Sequence, residues 1–246
     1  MANYRSFIFP DATIEGDRVT LDSRESHHLV RVFRAREGDA VELLDGRGQV
    51  RSGVLEQADA KRALVRVKAE RTVAAQLPPI TLLVAVTKGK AMDLILRMAT
   101  EIGATVVQPV FTDHSEVRLD AAREQTKLEK WELVLVEACK QCGLPWLPEL
   151  KAPVRLDDWC PAAPAETLKI VASLEAGSRP LKELLPAASA TGGVVLAVGP
   201  EGDFSEKEYR LLREAGFLPA RLGAQVLRAE TAAAYLLSVT DQLLRS

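Results

Sequence analysis

Gly199-Pro200-Glu201-Gly202-Asp203-Phe204-Ser205-Glu206-Lys207-Glu208 follows directly on the apolar run Val194 to Val198. Read in succession, these residues give a buried strand, a glycine loop and a helix start, and that order decides the fold class. The helix start carries two signals: Ser205 and Glu208 have capping-box spacing, and Phe204 and Tyr209 can form a hydrophobic staple across it. In an open parallel sheet, ligands bind at loops of this kind, beyond the carboxyl ends of the strands. A plain tight turn would use the same glycines. If the loop does hold a ligand, its chemistry is restrictive, because the spacing is neither a dinucleotide Gly-x-Gly-x-x-Gly nor a Walker A loop ending in Lys-Ser/Thr. Glu201 and Asp203 would also repel phosphate. A neutral or cationic ligand fits better, read by backbone groups that glycine lets approach closely.

Working outward, a second loop of the same kind spans Leu222 to Ala232, with Glu230 and Thr231 near a helix start. Two such loops from neighbouring strands can form one pocket; alternatively, Arg228 and Glu230 form a surface or interface ion pair. Upstream, Ile80 to Val86, Lys90 to Ile102 and Thr105 to Phe111 read as strand, helix and strand, the helix showing Met92, Ile95, Met98, Ala99 and Ile102 at helical spacing. A long helix follows, with Leu128, Trp131, Val134, Leu135 and Ala138 on one side. Five prolines between Pro145 and Pro164 predict mostly loop there. Strands at Leu168 to Leu174, Val194 to Val198 and Phe217 to Leu222 then alternate with helices at Pro180 to Leu185, Glu206 to Ala215 and Glu230 to Leu244. The predicted architecture is α/β with a mostly parallel sheet.

Ahead of Pro78-Pro79 the texture is different. Short β runs at Arg18 to Leu21, Ala40 to Leu44, Gln49 to Leu55 and Ala63 to Lys68, with turn signals at Glu37-Gly38-Asp39 and Asp45-Gly46, predict a small barrel. The domains are therefore expected at residues 1–76 and 77–246. A chain of 246 residues with 47% hydrophobic and 27% charged residues has the globular average, which excludes collagen-like and disordered classes. No run reaches ~18 apolar residues and Met1 to Pro10 has no signal-peptide core, so neither a membrane span nor a leader is expected. Three cysteines are too few for a disulfide framework, which points to a reducing compartment, the cytoplasm.

A net charge of −2 rules out nucleic-acid binding by bulk positive charge. One local basic concentration remains: Arg24, His27, His28, Arg31, Arg34 and Arg36 stand within thirteen residues against a single acid, Glu25. As a helix, Arg24, His27, His28 and Arg31 share a face suited to phosphate, although a charge run of this kind also suits a solvated face. Cys139-x-x-Cys142 has the form of a redox or zinc half-site, yet no second pair lies at ligand spacing, and no metal is expected. His114 has no Gly-x-Ser-x-Gly partner and reads as a loop histidine.

Over nearly its whole length the chain resembles the RsmE family of 16S rRNA uridine N3-methyltransferases, of the SPOUT class. The matching stretches are Ser26-His27-His28-Leu29-Val30-Arg31-Val32-Phe33-Arg34, Lys88-Gly89 with Glu101-Ile102-Gly103-Ala104, Gln141-Cys142-Gly143, Gly199-Pro200-Glu201-Gly202, and Leu222-Gly223 through Val226-Leu227-Arg228-Ala229-Glu230-Thr231-Ala232. The resemblance implies a PUA-like β-barrel for RNA at the N-terminus and a SPOUT methyltransferase domain tied in a trefoil knot. It also implies S-adenosylmethionine as cofactor, a homodimer with its active site near the subunit interface, and 16S rRNA in the small ribosomal subunit as partner. A cationic sulfonium without phosphate agrees with a glycine loop that carries carboxylates.

Carried over by position, Gly199, Gly202, Leu222, Gly223, Val226 and Leu227 would contact the cofactor, joined by Leu174 and Glu175 at a strand end. Arg228 and Glu230 look like the family's polar pair at the reacting end, and their chemistry makes them the candidate catalytic residues; from the basic segment and the Lys88 loop, Arg24, His28, Arg31, Arg34 and Lys88 are the candidate RNA contacts. The chain departs from the family pattern at Lys140, Leu144, Asp203 and His114. Two other classes use parts of the same pattern: a non-catalytic RNA-binding or ribosome-assembly protein with a degenerate pocket, and a nucleotide-dependent oxidoreductase, which the missing glycine fingerprint disfavours.

Overall fold

A computed structural model describes residues 4–8, 12–115, 121–164, 167–186 and 192–245; of the stretch Met1 to Pro10, residues 1–3, 9 and 10 lie outside it. The chain divides into two compact units, one taking the chain up to Ala75 together with Val136–Leu147, the other Gln76–Leu135 and Pro148 onward.

The first unit is a six-stranded sheet of β1 (Tyr4–Phe7), β2 (Thr13–Glu15), β3 (Arg18–Thr20), β4 (Ala40–Leu44), β5 (Gln49–Gln57) and β6 (Leu64–Thr72), in the order β1-β4-β5-β6-β3-β2. β1 lies parallel to β4 and every other neighbouring pair is antiparallel. Val19, Leu21, Leu29, Val41, Leu43 and Leu55 fill the core that the sheet surrounds. Two register shifts in β5 allow the long β5–β6 ribbon to bend, as a closing sheet needs. At Gly53 the strands come so close that a Cβ would stand 2.2 Å from the Arg66 carbonyl oxygen. The sequence predicts four of these strands but neither β1 nor β2. Helix α1 (Ser23–His27), capped by the Asp22 carboxylate, runs on into a π-helix over His28–Val32.

In the second unit, β7 (Ile80–Ala85), α2 (Lys90–Ile102) and β8 (Val106–Phe111) come first, with the part of α3 (Ala121–Cys142) up to Leu135, the rest of that helix belonging to the first unit. Then follow β9 (Glu149–Leu150), β10 (Val154–Arg155), α4 (Leu156–Trp159), β11 (Leu168–Ala172), β12 (Arg179–Pro180), α5 (Leu181–Leu184), β13 (Val194–Val198), α6 (Glu206–Glu214), β14 (Leu218–Arg221) and α7 (Ala229–Arg245). Every strand pair is parallel, as the alternation of strands and helices predicts. The stretch Pro145 to Pro164 is less irregular than its prolines suggest, since it adds β9 and β10 to the edge strand β8 and then forms α4.

The strand order is β10-β8-β7-β13-β11-β14-β12, with β9 also on β8. Numbering the five main strands along the chain makes this 2-1-4-3-5, whereas the flavodoxin-like order is 2-1-3-4-5. β13 is thus laid between β7 and β11, and the chain passes across β11 on the way to β13 and again on the way to β14. α4 and α6 cover one face, where Leu156, Tyr209, Leu212 and Phe217 pack on Leu83, Val171, Val195 and Ala197. α7 packs on α2, β7 and β13. With all five residues of β13 buried, its loop leaves the sheet at mid-width.

Candidate active site

The loop after β13 is fixed before any ligand arrives. Ser205 caps α6: its hydroxyl accepts from the Glu208 amide at 3.3 Å while the Glu208 carboxylate accepts from the Ser205 amide at 2.9 Å, completing the capping box read in the sequence. The expected staple also forms, with the Phe204 and Tyr209 rings edge to face at 5.6 Å. Asp203 has a left-handed backbone, φ 60°, a region that aspartate tolerates better than most residues with a Cβ. Its carboxylate accepts from the Phe204 amide and the Tyr209 hydroxyl, both at 2.8 Å. Burial pushes the Tyr209 phenol upward, so this bond keeps its donor proton through the physiological range.

A third element joins in. The segment after β8 lies against the glycine loop: the Asp113 amide donates to Glu208 at 2.8 Å and Ser205 Oγ donates to the Asp113 carboxylate at 2.7 Å. His114 Nδ1 meets the Asp203 carbonyl oxygen at 2.8 Å; since a carbonyl only accepts, Nδ1 carries the proton. Two positions where the chain departs from the family pattern, His114 and Asp203, therefore contact one another.

A cavity of about 280 Å³ opens where three strand ends meet. It is lined by Ser173 and Leu174 after β11, by Gly199, Pro200, Glu201 and Asp203 after β13, and by the segment from Arg221 through Ala229 after β14, apart from Ala224. Of the expected cofactor residues, Leu174, Gly199, Leu222, Gly223, Val226 and Leu227 line it. Gly202 and Glu175 do not. A Cβ on Gly202 would stand 3.2 Å from the His114 Cβ, so this glycine answers to the segment after β8, and the Glu175 carboxylate binds Arg213 at 2.8 Å. Gly199 is held small by the Phe204 ring at 3.1 Å, whereas a Cβ on Gly223 would meet nothing within 4 Å.

Of the expected catalytic pair, Arg228 lines the cavity and Glu230, half-buried in the first turn of α7, stands just beyond the lining. No ion pair joins them to each other or to any other described residue. Glu201 and Arg221 complete the charged lining. Glu201 was legible as a loop carboxylate, but Arg221, at the end of a short strand, carries no sequence signal of a site.

The expected RNA residues are dispersed. Arg24, Arg31 and Arg34 are exposed in the first unit, and Lys88 is exposed after β7 in the second. His28 is half-buried: Lys140 Nζ lies 3.1 Å from its Nδ1, and an ammonium can only donate, so Nδ1 accepts and is engaged within the protein. The Cys139 thiol is buried and pushed up to about 12, the reverse of a reactive thiolate. No cluster of three or more metal-ligating side chains occurs among the described residues.

The parallel sheet with a glycine-lined pocket at its strand ends, and the small β unit, place the chain by comparison in the class of RNA methyltransferases. Residues 75–241 match the family described as the RNA methyltransferase domain, and residues 21–68 match the RNA methyltransferase PUA domain. The chain belongs to the family of ribosomal RNA small subunit methyltransferase E. It is 35% identical to that protein of Synechocystis over 99% of this chain and 78% of the relative, and 38% identical to that of Aquifex aeolicus over 67% and 69%. Among solved structures, a Legionella pneumophila methyltransferase in complex with SAM superposes with a TM-score of 0.90 at 30% identity, covering 99% of this chain and 98% of that one. A ribosomal RNA small subunit methyltransferase E of Neisseria gonorrhoeae bound to S-adenosyl methionine gives 0.89 at 29%, covering 98% and 97%.

Proposed function

We propose that the protein methylates N3 of a uridine in 16S rRNA, on the small ribosomal subunit, with S-adenosylmethionine as methyl donor, and that it acts as a cytoplasmic homodimer. The observation that carries the assignment is the cavity at the ends of β11, β13 and β14, with Arg228, which has no partner among the described residues, in its lining. The cavity residues fit the donor. Leu174, Val226 and Leu227 give apolar contact, the open space at Gly223 admits close approach to backbone, and the Glu201 carboxylate suits a cation. The double crossing of β11 fits the knot implied by the resemblance.

When bound, S-adenosylmethionine supplies an electrophilic methyl on a sulfonium. N3 of uridine is an imide nitrogen and must shed its proton to act as nucleophile. The Arg228 guanidinium stabilises the negative charge that develops on O2 or O4, and Glu230 orients it or takes the proton. N3 lies on the Watson–Crick edge, so the base enters unpaired or flipped out.

The test is incubation of small subunits from a strain lacking the activity with the protein and S-adenosylmethionine, followed by primer extension through 16S rRNA. Methylation removes the N3 donor, and a new reverse-transcriptase stop one nucleotide before the site is expected. Methyl incorporation only into transfer RNA or protein overturns the ribosomal assignment. No incorporation into any substrate, with the donor bound, favours a non-catalytic RNA-binding protein.

A further inference from the structure

The segment from Arg24 to Arg36 is a basic concentration of the chain, and the structure gives it three properties that charge alone does not explain. First, its outward charge is positive throughout. The only acid, Glu25, is 1% exposed; its carboxylate accepts from the Phe7 amide at 3.0 Å and pairs with the buried Lys140 at 2.9 Å. Arg31 and Arg34 are exposed and make no hydrogen bond or ion pair with any described residue.

Second, two large apolar side chains stand in the open between those arginines. Val32 is 56% exposed and Phe33 45%. The Phe33 ring is not loose: one side leans on His28 at 4.5 Å between ring centres and Tyr4 lies at 6.0 Å. His28 is in turn fixed by Lys140. Third, the backbone at this point is unusual. The π-helix His28–Val32 ends at Phe33, and Arg34 takes a left-handed conformation, φ 58°, that costs an arginine energy and is seen where surrounding structure enforces it. Strain of this kind concentrates at sites that present a side chain.

We propose that Phe33 is a stacking platform for one unpaired base of the RNA, with Arg31 and Arg34 on the flanking phosphates. This deepens the ribosomal RNA assignment above and rests on it. An exposed, braced aromatic ring between exposed arginines is the pattern by which proteins hold single strands: the ring takes the face of any base and the cations track the backbone. A duplex offers no free base face, so the site favours single-stranded RNA.

The test uses the full-length protein and a fluorescent single-stranded RNA of about ten nucleotides, titrated at several salt concentrations beside a duplex of the same sequence. Phe33→Ala is expected to weaken single-strand binding roughly tenfold or more, leaving duplex binding and the salt dependence nearly unchanged. Phe33→Trp should restore the affinity, with tryptophan emission quenched by the RNA, whereas Phe33→Leu should not. Arg31→Ala should reduce the salt slope by about one. Binding by Phe33→Ala equal to the wild type, rescue by leucine as good as by tryptophan, or a change in molar mass by light scattering in Phe33→Ala would each overturn the proposal; the last would make the patch a protein contact. Calorimetry with S-adenosylmethionine on the same samples keeps the two assignments apart. Absence of donor binding would undo the methyltransferase assignment, while the stacking site is read from RNA alone.

Discussion

Between Gly199 and Ser205, the loop after β13 is fastened by side chains from two elements: Asp113 and His114 beyond β8, and α6 through its cap Ser205 and Tyr209 within it. Between Leu222 and Arg228, the loop after β14 has Val226 76% exposed, open space at Gly223, and Arg228 without a partner among the described residues. Both loops line one cavity, so the pocket has one wall that is finished in the free chain and one that is not. In the first loop the glycines are crowded by protein neighbours; in the second, Gly223 meets no protein atom within 4 Å. The division separates residues that build the site from residues that meet its contents, and it orders the expected effects of substitution.

The largest effect is expected on the unfinished side. Arg228→Ala should lower kcat by roughly 10²- to 10³-fold, the cost of removing one preorganised donor to a developing anion. Donor affinity by calorimetry should fall far less. Arg228→Lys should not recover the rate, because a point charge does not replace a planar fork. An equal loss of donor affinity and kcat would place Arg228 in cofactor binding and leave the imide charge without its counter-ion.

A paired glycine experiment tests the contrast directly. Gly202→Val puts methyl groups where the His114 Cβ would already be 3.2 Å away, so the loop after β8 must give way, at a cost of about 1–3 kcal/mol typical of overpacking. Gly223→Ala meets no protein atom within 4 Å, and its melting temperature should match the wild type while donor affinity falls. Stability losses of similar size in both variants would dissolve the distinction between the walls. Smaller still is Tyr209→Phe, which removes the hydrogen bond to Asp203 and should cost about 1 kcal/mol by denaturant unfolding.

The same contrast explains what could be read from the sequence. The capping box, the staple and the strand–loop–helix order are local, their members lying within a few residues of one another, and each forms as the spacing predicts. Segment-crossing contacts are different in kind. His114 and Asp203 are 89 residues apart, and nothing in either neighbourhood marks the other, so the crowding of Gly202 by His114 could not be read from the sequence. Strand order is equally silent, because alternation of strands and helices specifies a parallel sheet without saying that β13 enters between β7 and β11. β2, Thr13–Glu15, is exposed along its whole length and shows no alternation to detect. Lys140 breaks the family pattern in the sequence, and only its burial against Glu25 gives the replacement a role.

The smallest expected effect concerns pH and again belongs to the finished wall. The hydrogen bond to the Asp203 carbonyl raises the His114 imidazole above its ordinary value, helped by the Gly202 backbone and the nearby carboxylates of Glu208 and Asp113 and opposed by partial desolvation. A raised value in the folded state means that folding favours the protonated ring. Its contribution to stability is therefore complete below the ordinary histidine value and disappears as pH rises through the raised one. His114 is fully exposed, so solvent screens most of the gain. The measurable quantity is the difference in melting temperature between the wild type and His114→Gln, which cannot titrate in this range. That difference should be largest near pH 6 and shrink toward pH 8.5. A gap that stays constant with pH would mean that the Nδ1 bond acts without charge, as the neutral tautomer also permits. A gap that widens with rising pH would mean that the imidazole is held below its ordinary value, with desolvation outweighing the carbonyls and carboxylates around it.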